Sequence, residues 1–337
     1  MELIGPVKRL DVNAPDSRCV DIKEISMLPS RPMPTVVFIT LGWLILSGVW
    51  LTAVPAVAGP LTEPLNIVVT IPVLKDLAEQ VGGPYVRVTS LLKGYENEHT
   101  YSPKPSDLIA VRNAQLLFEV GLGLEVWVAN LVKSAGRPSL TIVTTSRGIV
   151  LISDGHEADP DHEDHGRGNP HIWMDPENVA TMMRHVTEAL IRADPAHAEE
   201  FRHNQTAYLK RLDQLRTELN DRLATVTERR FIAHHPAWPY FARRFGFEIV
   251  GTIQAQSASE PSAVHLQALI ATIKKHHVKA VVSEIQLSQR LPELLARETG
   301  ARVVVLTTLP GGLPGTDTYL DMLRYNVLQL ANALEAS

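Results

Sequence analysis

The sequence predicts an α/β fold in two lobes, each a mainly parallel sheet flanked by helices, the two joined by one long linking helix. Two observations carry this. Short apolar, β-branched runs alternate with helical stretches over residues 65–144, and the alternation resumes over residues 230–334. Between them lies a charged segment, residues 194–229, whose apolar positions Phe201, Tyr208, Leu212, Leu215, Leu219 and Leu223 recur at helical steps. A third observation bears on function. His99, His171 and His235 each stand where a strand or loop gives way to a helix, and open α/β folds keep their ligands at such places.

Residues 65–71 (LNIVVTI) read as a buried parallel strand, being short, apolar and β-branched. A helix follows over 72–81, with Val73, Leu74, Leu77 and Ala78 on one face. Residues 85–92 form the next strand and deliver the loop that carries Glu98 and His99. Pro105 suits a first helical turn, and Ser106 or Asp107 can cap it. A helix over 105–113, a strand over 115–120, a helix over 124–133 and a strand over 139–144 complete the first alternation.

Residues 154–168 (DGHEADPDHEDHGRG) have no apolar periodicity and predict a mobile loop. Its His156, His162 and His165 among six carboxylates suit weak capture of a divalent cation, or simply a solvated acidic loop. Asp175 and Pro176 then form an N-cap and a first helical residue, predicting a helix over 176–192 just after His171. Asp194-Pro195 opens the long helix, expected to reach Arg229 and to span roughly 50 Å.

The second lobe reads as strand 230–233, the His234-His235 segment, helix 240–245, strand 248–252, helix 263–276 capped by Ser262, and strand 278–283 ending at Glu284. Helix 292–299, strand 302–307 and a closing helix over 316–334 follow. His234 and His235 are adjacent in an extended segment and point opposite ways, so either one can reach a shared site.

Composition narrows the function. A chain of 337 residues with 45% hydrophobic residues can fill two lobes. The net charge of -5, without a general basic patch, argues against nucleic-acid binding. The single cysteine, Cys19, excludes an internal disulfide framework and a thiolate metal site in the body of the chain.

The strongly apolar run at 35–57 follows Arg31 and ends in Ala56-Val57-Ala58, a small-x-small cleavage pattern. It reads as a signal peptide cut after Ala58, with a retained N-terminal membrane anchor as the alternative. Met27 or Met33 would make a more ordinary start than Met1. The mature protein is expected to begin near Gly59, outside the cytoplasm.

Three histidines without cysteine fit a zinc site: the ion takes four ligands, and three imidazoles plus a carboxylate or water complete the set. The sequence also resembles a family at several stretches in one order. These are NIVVTIPVLKDLAEQVGG, ENEHTYSPKPSDL, GLGLEVWV, NPHIWMDPENV, HPAWPYFARRFG, SASEPSAV, VVSEIQLS and YLDMLRYN, covering nearly the whole mature chain. They resemble the zinc- or manganese-carrying solute-binding proteins of ABC importers.

That resemblance implies two α/β lobes joined by a rigid helix, with the metal in the interlobe cleft. It implies His99 and His171 as ligands from the first lobe and His235 from the second. Manganese-type members carry a carboxylate at the third position and an Asp after the last strand, whereas this chain has His235 and Thr307. Zinc-type members often have Glu before the first His and a His- and acid-rich loop before the second ligand, as do Glu98-His99 and residues 154–168 here.

Imidazole suits zinc, and Glu98 would offset part of the ion's charge, so Glu98 is the expected fourth ligand, with water as the alternative. Glu284, where the family often has a Glu, is expected to orient a ligand imidazole or to act as a plain capping carboxylate.

The expected organisation is a leader over 1–58, a first lobe over 59–193, a linking helix over 194–229 and a second lobe over 230–337. The expected function is a periplasmic, monomeric zinc receptor that hands Zn2+ to an ABC permease in the inner membrane. A manganese or iron receptor of the same fold is the alternative. A zinc hydrolase using Glu98 as general base is a lesser one, because the chain has no HExxH motif and no evident second catalytic group.

Overall fold

The computed structural model describes residues 63–153, 168–254 and 260–335. The leader and the expected metal-capture residues His156, His162 and His165 lie outside the described residues.

The first lobe holds strands β1 (Leu65–Val69), β2 (Val86–Ser90), β3 (Leu116–Glu119) and β4 (Thr141–Thr144), all parallel, in the order β2-β1-β3-β4. The second lobe repeats the order with β5 (Arg230–Ala233), β6 (Glu248–Thr252), β7 (Ala280–Glu284) and β8 (Arg302–Leu306), arranged β6-β5-β7-β8. In each sheet the first strand sits between the second and the third. The strand order therefore reverses direction there, and a crevice opens beyond the carboxyl ends of the central strands.

Helices α1 (Pro72–Gly82), α2 (Pro105–Asn113), α3 (Val128–Ser134) and α4 (Pro176–Ala193) belong to the first lobe. Asp175 caps α4 as expected, its Oδ1 accepting the Glu177 N–H at 2.9 Å, with Pro176 in the first turn. In α2 the carboxylate of Asp107 reaches back and accepts the Lys104 N–H at 2.7 Å. The helix expected from 124 starts only at Val128. Gly121, Leu122 and Gly123 all have positive φ (84°, 59° and 77°). Buried Glu125 holds that turn by accepting N–H bonds from Val120 and Gly121 and the Thr70 hydroxyl at 2.7–2.9 Å. Burial pushes the Glu125 carboxyl up to about 7.

The long helix is α5 (Ala198–Leu223), shorter at both ends than residues 194–229. A 3₁₀ turn (Pro195–His197) precedes it. Its 26 residues span about 39 Å at ~1.5 Å each. At its end, Arg229 donates to the carbonyls of Leu223, Val226 and Phe245, taking helix-end acceptors that further turns would have used. Its apolar stripe packs on α1 and α4 of the first lobe and on α9 (Tyr319–Glu335) of the second.

The remaining second-lobe helices are α6 (Pro239–Phe245), α7 (Ala263–His276) and α8 (Arg290–Thr299). Ser262 caps α7, accepting from His265 N at 3.1 Å.

One apolar cluster runs through both lobes, and a smaller one (Ile232, Leu269, Ile273, Leu295) fills the second lobe under α7 and α8. Polar side chains pin the lobes together. Asp76 of α1 accepts the Tyr208 hydroxyl of α5 at 3.2 Å and the Tyr319 N–H of α9 at 2.9 Å. Trp173 Nε1 donates to Thr308 O at 2.7 Å, and Arg244 of α6 pairs with Asp175 at 2.6 Å. Among the described residues no helix is long and apolar enough to cross a membrane.

Candidate metal centre

The carboxyl ends of both sheets face one cleft. Beyond β2 the chain runs through Gly94 to Glu98 and His99; beyond β4 it returns to His171; β5 leads directly into His234 and His235; β7 ends at Glu284.

Glu98, His99, His171 and His235 come together, each offering one donor atom, with all four atoms within 4.8 Å of one another. His99 Nε2 lies 3.0 Å from His171 Nε2, which lies 3.3 Å from His235 Nε2 and 3.7 Å from Glu98 Oε1. Zinc bond lengths of ~2.0–2.1 Å place the corners of a tetrahedron roughly 3.3–3.4 Å apart. Glu98, His171 and His235 are 1%, 2% and 3% exposed, and His99 is half-buried. Glu98 Oε1 is buried without a hydrogen-bond partner, an orphan acceptor aimed at the three imidazoles.

Two of the rings are braced from behind. Asn169 Oδ1 lies 2.9 Å from His171 Nδ1 and accepts the His171 backbone N–H at 3.0 Å. With the proton on Nδ1, the Nε2 lone pair faces the cluster. Asn169 is itself gripped by the second lobe: its side-chain amide donates to Pro236 O, and the Tyr240 hydroxyl donates to its carbonyl at 2.9 Å. His235 Nδ1 lies 2.8 Å from Glu284 Oε1, which also accepts the Trp238 indole N–H at 3.0 Å. Glu284 thus stands behind the His235 ring with a hydrogen bond to its Nδ1. His234 faces the other way, its Nδ1 accepting the Glu284 backbone N–H at 3.3 Å, and takes no place in the cluster.

Electrostatics divide the set. Burial lowers His99 to about 4, helped by the charge of His235, and burial drives His171 well below the ordinary histidine value. Burial also opposes charge on His235, but the charge and hydrogen bond of Glu284 outweigh it and hold His235 above the ordinary value. Burial pushes Glu98 up to about 7. Glu98 and Glu284, one from each lobe, are two buried carboxylates whose combined charge matches that of a divalent cation.

Sequence reasoning missed Asn169 and Trp238 as bracing groups. The only signal for Asn169 was its place two residues before His171 in Asn169-Pro170-His171. Thr307 is buried; its hydroxyl accepts from Leu309 N at 3.2 Å and from Gln286 Nε2 at 2.9 Å and donates to Leu309 O at 2.7 Å.

A family model described as zinc-uptake complex component A, periplasmic (ZnuA) matches residues 67–333. A manganese-binding lipoprotein of Halalkalibacterium halodurans is 30% identical over 270 residues, covering 79% of this chain and 87% of the relative. A high-affinity zinc uptake system protein of Bacillus subtilis is 27% identical over 288 residues, covering 81% and 88%. A crystal structure of ZnuA matches with a TM-score of 0.71 at 30% identity, covering 81% of this chain and all (100%) of that one.

Proposed function

Because the chain belongs to the ZnuA family of periplasmic metal-binding solute receptors, we propose that it captures Zn2+ outside the cytoplasm and delivers it to an ABC permease in the inner membrane. Members of this family are receptors of metal importers rather than enzymes. His99, His171, His235 and Glu98 hold the ion, and Glu284 orients His235. Residues 1–58 are the leader, cut after Ala58, and the mature receptor acts as a monomer.

The observation that carries zinc over manganese is the donor set: three imidazole nitrogens converge with one orphan carboxylate oxygen at near-tetrahedral spacing. Zinc accepts nitrogen-rich tetrahedral sites, whereas manganese prefers six oxygen-rich positions. The manganese reading draws support from the 30% identical lipoprotein of Halalkalibacterium halodurans. The two readings separate in a competition titration on protein beginning at Gly59, with zinc and manganese competing against a chromophoric chelator. Zinc at one per chain, bound far more tightly than manganese, is the expected result. Equal affinities would mean that oxygen donors outside the four residues take part, and the zinc assignment would fall.

A further inference from the structure

Of the four candidate donors, Glu98 and His99 share one loop, and that loop meets the opposite lobe at Gly94. Gly94 has φ 103° and packs backbone against backbone on the second-lobe loop after β8. A Cβ on Gly94 would lie 2.3 Å from Pro310 O, and one on Gly312 would lie 2.8 Å from Gly94 O. Gln286, two residues past Glu284, reaches across: its Nε2 donates to Gly94 O at 2.6 Å and to Thr307 Oγ1 at 2.9 Å.

Within the loop, Glu96 accepts the Lys93 N–H at 2.7 Å and Asn97 Oδ1 accepts the His99 N–H at 2.9 Å. Trp127 Nε1 ties it to its own lobe, donating to Glu98 O at 3.4 Å.

The other two imidazoles are held from behind. His171 is tied through Nδ1 to Asn169, and His235 to Glu284. The His99 ring has no such brace among the described residues, and it is the most exposed of the four.

We propose that Gln286, with Gly94 and Gly312, is a latch that positions the Glu98–His99 loop, and that opening this latch sets the rate at which bound metal leaves. The proposal rests on the metal-receptor reading above. Gln286 is a positioning residue: it touches the loop that carries two donors, not the ion.

The test uses Gln286→Met, which keeps the side-chain length and removes the donor. Gly94→Ala is a second variant, which cannot seat without moving Pro310. Zinc release into excess chelator is followed by stopped flow, and amide exchange over residues 93–100 is measured on the metal-free protein. Gln286→Met loses both Nε2 bonds, and loss of the one to Gly94, which holds the loop, predicts release faster by about three- to tenfold. Gly94→Ala is expected to exceed that, with faster exchange over 93–100 in both. The Co2+-loaded Gln286→Met protein should keep the four-coordinate absorption bands of the parent, because no donor is removed.

Release within twofold of the parent overturns the proposal even where exchange rises, since the loop is then not the gate. Unchanged exchange overturns it as well. A parent that binds no zinc would instead sink the receptor reading, and the exchange measurement, made without metal, would still judge whether Gln286 holds the loop.

Discussion

His171 and His235 are equally buried and point the same nitrogen at the same place, yet they are braced by different chemistry. A neutral amide, Asn169, stands behind His171, and a buried carboxylate, Glu284, stands behind His235. Burial therefore wins at His171 and keeps that ring neutral, whereas Glu284 overcomes burial at His235 and favours a proton there. One ring is presented ready to bind; the other must give up a proton to the incoming ion. The difference teaches that the brace, and not the depth, sets how each imidazole answers to pH.

The comparison breaks most sharply if either ring is removed. His171→Ala and His235→Ala should each weaken zinc binding by at least about a hundredfold, more than the loss of any brace. A competition titration in which either variant stays within tenfold of the parent would remove that residue from the site.

Next in size is the acid response. Glu98 sits near 7 and His235 above its ordinary value, so both hold protons just below neutrality, while His99, near 4, and His171 do not. Zinc affinity should thus fall as pH drops through about 7, by roughly ten- to a hundredfold per unit for one or two displaced protons. Calorimetry in buffers of different ionisation enthalpy should show more proton release at pH 6 than at pH 8, as Glu98 ionises. Loss of affinity only near pH 4 would mean that His99 controls binding instead.

The braces themselves come third. Glu284→Gln should cost zinc affinity roughly ten- to a hundredfold, and Asn169→Ala toward the lower end of that range. Glu284→Gln alone should also lower the His235 pKa, read by NMR titration of the ring protons in metal-free protein. Equal pKa values in parent and variant would contradict the carboxylate's role.

The smallest effect on binding belongs to Arg244→Ala, which removes the closer of buried Asp175's two guanidinium partners and leaves Arg243 at 3.4 Å. Thermal unfolding should show about 1–3 kcal/mol of lost stability, with the zinc dissociation constant within threefold of the parent. A large loss of affinity would show that the pin between Asp175 and Arg244 also shapes the site.

Much of the fold was legible because strand and helix patterns are local. The β-branched runs, the cap at Asp175 and the cap at Ser262 all stand as read. The errors fell where distant groups intervene. Residues 124–127 carry a helical pattern, yet Glu125 is drawn to Thr70 on β1's end and holds a turn with three positive φ values instead. The linking helix stops at Leu223 because Arg229 supplies donors to its end and to Phe245. Of the candidate site, the four residues that the structure brings together were ones the sequence singles out. Their braces, Asn169 and Trp238, were not, since a side-chain amide or an indole beside a histidine is ordinary packing until its partner is seen.

The sequence by itself determined which chemical groups are available: three imidazoles and no thiolate, two carboxylates beside them, and two stretches of alternating strand and helix to carry them. Those are properties of residue type and short-range period. Only the tertiary structure decided that the Nε2 atoms of residues 72 and 64 positions apart converge to 3.0 and 3.3 Å. It alone decided which ring faces a carboxylate, and that Gly94 meets Pro310 and Gly312 backbone to backbone. Ring orientation and backbone approach come from how two sheets and α5 pack across a shared core, and no local pattern encodes a contact made over such separations.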